Sequence, residues 1–222
     1  MRLSPMRNKV LVFDLDDTLY KEIDFLKSAF HEIANRISVS IDPQTVFDEM
    51  MHTYYKHENV FQLIINKYCP LETIGHLLEI YRNHHPDISL PIETEKVLEQ
   101  LSQKATLGMI TDGRAITQRN KIKALRLDRY FKDDNILISE ETGFVKPSEE
   151  PYFFFMNKYP SSDYCYIGDN TEKDFVAANS LGWETICLKD NGNNIHKQVF
   201  SLPSSYLPHH IIDDFTQLKE KH

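Results

Sequence analysis

Short apolar runs without a polar interruption recur along the chain and set its predicted architecture. The runs lie at residues 10–13, 107–110, 136–138, 164–167 and 185–188, with a weaker one at 210–212. Runs of this kind are typical of strands that are buried on both faces of a parallel sheet. Segments with helical spacing, at 93–104 and 115–127, separate several of them. This alternation predicts an α/β fold, a doubly wound, Rossmann-like parallel sheet with right-handed crossovers.

One interval, residues 20–91, breaks the alternation because it shows no convincing strand pattern. Asp42 followed by Pro43 predicts the start of a helix, and further helices are expected at 61–68 and 71–81. The first helix of the interval is indicated by apolar residues that recur every three to four positions. These are Phe25, Leu26, Ala29, Phe30, Ile33, Ala34 and Ile37.

The same pattern predicts how the chain divides into domains. We expect residues 1–19 and 92–222 to form a discontinuous α/β core, with an all-helical domain at 20–91 inserted after the first strand. Within the core, the polar stretch 191–205 is expected to be a surface loop.

The net charge of the chain narrows the classes of partner. The sequence has 25 Lys and Arg residues against 33 Asp and Glu residues, a formal net charge of −8. No basic stripe offsets this acidity, so we expect no nucleic-acid partner. An anionic substrate must then be attracted by a local feature, such as a metal ion or a few placed cations.

Cysteine usage and the N-terminal segment indicate a cytoplasmic protein. Cys69, Cys165 and Cys187 form no metal-binding spacing, and two of them lie in apolar strand-like runs where a reduced thiol is expected. A reducing cytoplasm fits this usage. Because the first apolar run is interrupted at Asp14, neither a signal peptide nor a membrane-length segment is predicted, and no membrane partner is expected.

Acidic residues follow the first predicted strand directly, in the order Asp14-Leu15-Asp16-Asp17-Thr18. In an open α/β sheet the ligand crevice lies outside the carboxyl ends of the strands, so these side chains are expected to project into it. Two carboxylates separated by one residue can divide a reaction, one as nucleophile and one as acid and base. An isolated pair of this kind is equally well explained as a turn that leaves a strand.

A second motif, Thr111-Asp112-Gly113, ends the next predicted strand. It offers a hydroxyl and a glycine-flanked backbone that can donate to a phosphoryl oxygen. Asp112 has a simpler alternative role, which is to cap the helix that follows.

The remaining motifs lie further along the chain. Lys146 precedes Pro147 and would be one of few cations near the carboxylates, and a later strand ends at Gly168-Asp169, with Asp174 five residues beyond Asp169. Such a lysine is more usually a solvated surface residue. Its functional interpretation therefore depends on the other motifs.

Carboxylates that share one crevice repel each other, and this repulsion must be relieved. Asp14, Asp16 and Asp169 cannot all stay ionised a few ångströms apart unless their pKa values rise or a metal ion binds. All-oxygen ligation with retained waters is what Mg²⁺ favours, and Mg²⁺ commonly bridges to substrate phosphate. No cluster of His and Cys residues suggests zinc.

Taken together and in order, these motifs resemble those of the haloacid dehalogenase-like superfamily. The resemblance spans residues 14–174 and is specific because four motifs occur in order at strand ends. The motifs are Asp14-x-Asp16-x-Thr18, Thr111-Asp112-Gly113, Gly143-x-x-Lys146-Pro147 and Gly168-Asp169-x-x-x-x-Asp174. Two positions depart from the family pattern, since many members have glycine where Asp17 stands and asparagine where Asp112 stands.

The resemblance implies a role for the aspartates of the crevice. Asp14 would be the nucleophile and Asp16 the general acid and base. The cofactor would be Mg²⁺, held by the carboxylates of Asp14 and Asp169 and by the backbone carbonyl of Asp16. The helical insertion resembles the C1-type cap of this family, which closes over the site and selects small substrates.

The resemblance also assigns the residues that would hold the phosphoryl group. Thr111, Asp112, Gly113 and Lys146 would bind it. Asp174 would hold Lys146 or a metal-bound water from outside the set of direct metal ligands.

The second aspartate, Asp16, discriminates among the activities of the family. A phosphate ester leaves as an alkoxide that needs a proton, whereas a halide does not, so a phosphoric monoester hydrolase is predicted rather than a dehalogenase. Its substrate would be a small phosphorylated metabolite: a sugar phosphate, a sialic-acid-type phosphate or a nucleoside monophosphate. Candidates for contact with the leaving group are Lys21, Glu22, Tyr54, Tyr55 and His57.

Two alternatives stay open at this point. A sugar-phosphate mutase of the same family would share all four motifs. A non-catalytic binding module is disfavoured because both Asp14 and Asp16 are present. The sequence predicts no particular oligomeric state.

Overall fold

A computed structural model describes residues 8–38 and 41–220 and contains a six-stranded sheet. The strands are β1 (Lys9–Phe13), β2 (Thr106–Thr111), β3 (Ile136–Ile138), β4 (Asp163–Gly168), β5 (Glu184–Leu188) and β6 (His210–Ile212). They stand in the order β3-β2-β1-β4-β5-β6, and every neighbouring pair is parallel. The predicted α/β class is confirmed.

Four helices are inserted between β1 and the rest of the sheet, and we call them the helical insertion. They are α1 (Glu22–Ile37), α2 (Pro43–Tyr55), α3 (Val60–Tyr68) and α4 (Ile74–Asn83). Their apolar faces bury a separate hydrophobic cluster, which includes Phe30, Ile33, Met50 and Ile64. Amphipathic helices gain most of their stability from such packing, which explains why the helical spacing in the sequence was informative.

The first residues of helices α2 and α4 agree only in part with the helix starts predicted from the sequence. Pro43 occupies the first turn of α2 as predicted, but the Asp42 side chain makes no capping hydrogen bond. The helix predicted from residue 71 begins instead at Ile74, because the Thr73 hydroxyl accepts from the His76 N–H at 3.1 Å and caps α4.

Further helices cover both faces of the sheet. They are α5 (Ile92–Ser102), α6 (Ala115–Ala124), α7 (Ser139–Thr142), α8 (Glu150–Lys158) and α9 (Val176–Ser180), with 3₁₀ turns at Leu127–Arg129, Asp133–Asn135, Ser204–Tyr206 and Phe215–Glu220. In the described part of the chain, none of the helices combines the length and apolarity that crossing a membrane requires.

Alternate residues of β1 explain why this strand is continuously apolar. Leu11 and Phe13 belong to the cluster that α5 and α6 cover, whereas Val10 and Val12 belong to the cluster that α8 and α9 cover. All four side chains are buried. A strand with apolar packing on both faces has no position for a polar residue until it ends, which here is at Asp14.

The stretch 191–205 contains no helix or strand apart from the turn Ser204–Tyr206, as expected of a surface loop. Ile195 packs against the hydrophobic cluster of the helical insertion. The Gln198 amide donates to the backbone oxygen of Asp169 at 2.9 Å. None of these residues is buried, so the expected surface loop is confirmed, although parts of it contact the rest of the chain.

A close approach at Gly108 of β2 generates a stability prediction. A Cβ atom at Gly108 would lie 2.3 Å from Cε1 of Phe155 on α8. Gly108→Ala should therefore lower the free energy of unfolding by about 1–3 kcal/mol through overpacking. Urea denaturation measures the change.

Gly75 of α4 supplies the matched control, because a Cβ there has its nearest contact at 3.8 Å, on the Thr73 hydroxyl. Gly75→Ala should be neutral or stabilise by up to about 1 kcal/mol, since alanine loses less backbone entropy in a helix. Equal effects of the two substitutions would contradict the account of the β2–α8 contact.

Candidate active site

Three neighbouring strands bring the sequence motifs to one edge of the sheet. β1 lies between β2 and β4 and pairs in parallel with both. Asp14, Thr111 and Asp169 therefore emerge side by side at the carboxyl ends of these strands. They line a cavity of about 130 Å³, and its other lining residues are Asp16, Asp17, Glu22, Asp112, Asn170, Lys173 and His196.

Lys146 is the buried cation of this site. Its Nζ donates to Asp14 Oδ1 at 2.6 Å, to Asp174 Oδ1 at 2.7 Å and to the Tyr166 hydroxyl at 3.2 Å. Burial opposes the charge, but Asp14 and Asp174 outweigh it and hold the pKa of Lys146 well above its usual value. The lysine is thus a charged internal residue, not a solvated one.

The backbone after β4 fixes the carboxylate that holds this lysine. Asp174 Oδ2 accepts from the N–H of Asp169 at 3.1 Å and from the N–H of Asn170 at 2.8 Å. A Cβ atom at Gly168 would lie only 2.5 Å from the same oxygen. The glycine therefore lets the loop close around Asp174, which explains the spacing of this motif.

Three carboxylates form a cluster suited to a cation. One oxygen each of Asp14, Asp169 and Asp174 lies within 4.8 Å of the others. Burial raises the pKa of Asp14 to about 7 despite Lys146, and burial together with Asp174 and Asp14 raises the pKa of Asp169 to about 9. A hard divalent cation fits this all-oxygen donor set and would offset the cost of ionising both groups.

Within this cluster, Asp14 and Asp169 are the carboxylates available to a metal ion. The oxygens of Asp174 already accept from Lys146 and from two backbone N–H groups. Asp14 accepts one hydrogen bond at Oδ1, from Lys146, and none at Oδ2 from the described residues, so each of its oxygens retains a lone pair. Asp169 accepts one neutral hydrogen bond at each oxygen, from Thr18 and Asn194.

The Asp16 side chain lies at the cavity wall but outside the carboxylate cluster. Its Oδ1 accepts from the Tyr20 hydroxyl at 2.5 Å and from Lys121 Nζ at 2.7 Å, and its Oδ2 accepts from Gln118 Nε2 at 2.9 Å. Burial opposes ionisation, but Lys121 and these hydrogen bonds hold the pKa of Asp16 below its usual value. The two predicted catalytic aspartates therefore occupy opposite electrostatic environments.

Thr111 and Gly113 lie in different surroundings although they belong to one motif. Thr111 lines the cavity, and its hydroxyl accepts from Gln118 Nε2 at 2.6 Å. Gly113 has a φ of 147°, which favours glycine, and its N–H donates to the Ser139 hydroxyl at 2.9 Å. The Gly113 N–H thus already has an acceptor, and its contact with a phosphoryl group stays a prediction.

Asp112 does not cap the following helix, so that simpler interpretation is wrong. Its carboxylate accepts from the Lys146 backbone N–H at 3.1 Å and from Lys173 Nζ at 3.1 Å. Helix α6 begins at Ala115, whose N–H donates to Glu140 Oε2 at 2.8 Å instead. Asp112 therefore ties the loop that carries Lys146 to the end of β2.

A second cavity, of about 210 Å³, adjoins the first, and Asp16, Glu22 and Asp112 line both. Phe25 and Arg82 of the helical insertion form part of its wall. Burial and then Asp16 raise the pKa of Glu22 to about 8. Of the five leaving-group candidates named from the sequence, only Glu22 lines either cavity.

Several polar residues of the site were not identified from the sequence. Gln118 and Lys121 lie one turn apart on α6 and are buried, although the face that covers a sheet is normally apolar. The available indication in the sequence was that these two polar residues lie three positions apart, on one face of the predicted helix. Asn194 and His196 stand in a polar stretch whose composition does not distinguish them from solvated loop residues.

Comparison with known proteins identifies the family. Residues 11–188 match the model of the haloacid dehalogenase-like hydrolases. The chain is 29% identical over 200 residues to the glyceraldehyde 3-phosphate phosphatase of Methanocaldococcus jannaschii, covering 80% of this chain and 83% of that protein. It is 25% identical over 134 residues to the N-acylneuraminate-9-phosphatase of Homo sapiens, covering 59% and 51% of the two chains.

A solved structure shows the same fold. The HAD-hydrolase YfnB from Bacillus subtilis, bound to magnesium, superposes with a TM-score of 0.68 at 21% identity, covering 97% of this chain and 98% of that one. The chain therefore belongs to the haloacid dehalogenase-like hydrolases. Within that family it is a phosphatase, the class of enzyme for which the two curated relatives described above are named.

The raised carboxyl pKa values predict how the stability of the metal-free protein depends on pH. Because the folded-state pKa values of Asp14 and Asp169 lie above the ordinary 3.8, the folded chain retains protons that the unfolded chain releases. Their stabilising contribution is complete below pH 3.8 and is lost as pH rises through about 7 and about 9. In EDTA, the melting temperature should therefore fall as pH rises through this range.

Two variants test which carboxyl groups cause this fall in melting temperature. Asp169→Asn should flatten it above about pH 8, beyond the raised pKa of Glu22, because the amide cannot release a proton. Asp213→Asn, which changes an exposed carboxylate after β6, should retain the wild-type slope. A wild-type melting temperature that stays level, or equal slopes in both variants, would contradict the assignment.

Proposed function

We propose that this phosphatase is a magnesium-dependent phosphomonoesterase that acts through an aspartyl-phosphate on Asp14. The observation that carries the proposal is the separation of the two strand-end aspartates. Asp14 belongs to a carboxylate cluster around Lys146, whereas Asp16 is bound by Lys121 and Gln118. This separation supports a role for Asp14 in attack on phosphorus and for Asp16 in proton transfer, the two functions that such a reaction needs.

The substrate class follows from the relatives and from the size of the site. The two curated relatives described above are named for a triose phosphate and for a sialic-acid phosphate. The adjoining cavities of about 130 and 210 Å³ are consistent with a small phosphorylated metabolite. A sugar phosphate or sialic-acid-type phosphate is the proposed substrate, hydrolysed in the cytoplasm.

Mg²⁺ would be held by the carboxylates of Asp14 and Asp169 and by the backbone carbonyl of Asp16. When bound, it supplies positive charge that stabilises the ionised carboxylates and the phosphoryl oxygens. The raised pKa values of Asp14 and Asp169 support this site, because they show where the chain lacks a compensating charge.

Asp14 attacks through the oxygen that Lys146 leaves free. Lys146 Nζ holds Oδ1 at 2.6 Å, so Oδ2 forms the bond to phosphorus while the bond from phosphorus to the leaving oxygen breaks. Lys146 and Thr111 bind the transferring phosphoryl oxygens. Water then attacks the aspartyl-phosphate and releases inorganic phosphate, which restores the Asp14 carboxylate.

Asp16 moves the proton in both steps. It donates to the leaving alkoxide and afterwards accepts a proton from the attacking water. In the substrate-free site Asp16 is held as a carboxylate by Lys121. The negative charge of a bound phosphate beside it raises its pKa and favours the protonated form that the first step requires.

The helical insertion is proposed to act as the cap that selects the leaving group. Its residues Glu22, Phe25 and Arg82 line the second cavity, which Asp16 also lines. Closure over this cavity would exclude bulk water before the covalent step.

The direct test is phosphate release from a panel of sugar phosphates and from p-nitrophenyl phosphate. Release should require Mg²⁺ and stop in EDTA, and Asp14→Asn should abolish it because no carboxylate oxygen remains to attack phosphorus. Asp213→Asn is the control and should retain full activity. Undiminished activity after exhaustive chelation would refute the proposal.

Asp16→Asn tests the proton-transfer role separately. General acid–base help is typically worth about 10²–10⁴-fold, so hydrolysis of alkyl and sugar phosphates should slow by that factor. Transfer from p-nitrophenyl phosphate to Asp14 should slow less, because its phenolate leaves without a proton. A hydroxylamine-labile phosphate on Asp14 should then accumulate and be found by mass spectrometry of quenched reactions. Phosphate on a serine or histidine would overturn the assignment.

A further inference from the structure

Asn194 connects the proposed metal ligand Asp169 with the start of the helical insertion. Its Nδ2 donates to Asp169 Oδ2 at 2.8 Å, and its Oδ1 accepts from Lys21 Nζ at 2.5 Å, where Lys21 is the residue before α1. The Lys21 ammonium determines the orientation of the amide, because it can only donate and therefore faces the amide oxygen, which leaves the NH₂ group toward Asp169. The side chain is therefore held from both sides.

Backbone hydrogen bonds hold the loop around Asn194 in place. Asp190 Oδ1 accepts from the N–H groups of residues 192–194 at 2.8, 3.0 and 3.0 Å and shapes the turn. The N–H of Ile195 donates to Asp17 Oδ2 at 2.8 Å, which docks the loop onto the segment after β1. Asn194 thus reaches the site with its backbone already fixed.

Among the residues that the structure describes, Asp169 receives hydrogen bonds only from neutral donors. Thr18 donates to its Oδ1 at 3.4 Å, Asn194 donates to its Oδ2 and Gln198 donates to its backbone oxygen at 2.9 Å. Neutral donors orient a carboxylate without cancelling its charge, and each oxygen retains lone pairs for a cation. A lysine in the place of Asn194 would instead compete with the metal for that charge.

We propose that Asn194 is a positioning residue that orients the Asp169 carboxylate for Mg²⁺ and links it to the helical insertion through Lys21. This rests on the proposed function, which supplies the metal. Groups that hydrogen-bond to metal ligands typically contribute about 10–100-fold to metal affinity. The Asn194 side chain is the loop's only described direct contact with the Asp169 carboxylate, so its loss should have an effect of that size.

The test is calorimetric titration of Mg²⁺ into the metal-free protein without substrate. Asn194→Ala should weaken Mg²⁺ binding about 10-fold or more. Activity of the variant should recover at raised Mg²⁺ concentration, which loss of folded protein would not allow. Lys21→Met leaves the contact between Asn194 and Asp169 in place and should weaken binding less than about threefold, as expected for the loss of a partly exposed charge.

Asn191→Ala is the matched control in the same loop, because the Asn191 side chain accepts only from Asn193 in the described structure. It should bind Mg²⁺ as the wild type does. Asn194→Leu, which removes both hydrogen bonds at similar volume, repeats the test if the alanine variant is unstable. Hydrogen exchange provides a test without any variant, since Mg²⁺ should slow exchange at residues 192–194 of the wild type.

The outcomes separate this inference from the proposed function. Wild-type Mg²⁺ affinity in folded Asn194 variants, with Mg²⁺-dependent hydrolysis intact in the wild type, overturns the role of Asn194 alone. Unchanged exchange at residues 192–194 upon Mg²⁺ binding does the same. A wild-type protein that binds no Mg²⁺ overturns both.

Discussion

The ammonium group of Lys146 balances two buried carboxylates, and the arrangement of the site depends on this balance. It lies between Asp14, at the end of β1, and Asp174, in the loop after β4. A buried ion pair of this kind is costly to break, since the partner that remains is a buried charge without compensation. The cluster holds one more carboxylate, Asp169, which forms no ion pair within the described ranges 8–38 and 41–220 and accepts side-chain hydrogen bonds from Thr18 and Asn194. A further cation would offset this charge, and this is the physical basis of the proposed magnesium dependence.

A second buried lysine, Lys121, binds the other strand-end aspartate, Asp16, at the second cavity. Lys121 binds Asp16 and lies 3.8 Å from Glu22, so the predicted proton-transfer residue is charged in the absence of substrate. Each aspartate thus has its own cation, and the two functions proposed for them do not compete for one charge. The helical insertion takes part in this arrangement because Glu22 opens α1 and the Phe25 ring lies under the Lys121 ammonium at 4.4 Å.

The sequence predicted those features that local pattern or strand order determines. The sheet could be predicted because a strand buried on both faces must be continuously apolar, and Asp14 and Asp169 could be placed because parallel strands end at one edge. Gln118 and Lys121 could not, because their burial depends on hydrogen bonds to Asp16, which is far away in the sequence. Asn194 could not, because its position depends on a turn made by Asp190 and on docking against Asp17.

The central claim is that Asp14 receives the phosphoryl group while Asp169 helps to hold the metal. A crystal structure of the protein with Mg²⁺ and beryllium fluoride, which mimics a phosphoryl group on a carboxylate, tests it most directly. The account predicts beryllium bonded to the Asp14 oxygen that Lys146 leaves free, with Mg²⁺ against the carboxylates of Asp14 and Asp169. Beryllium on any other residue, or a metal ion that does not contact Asp169, would contradict it.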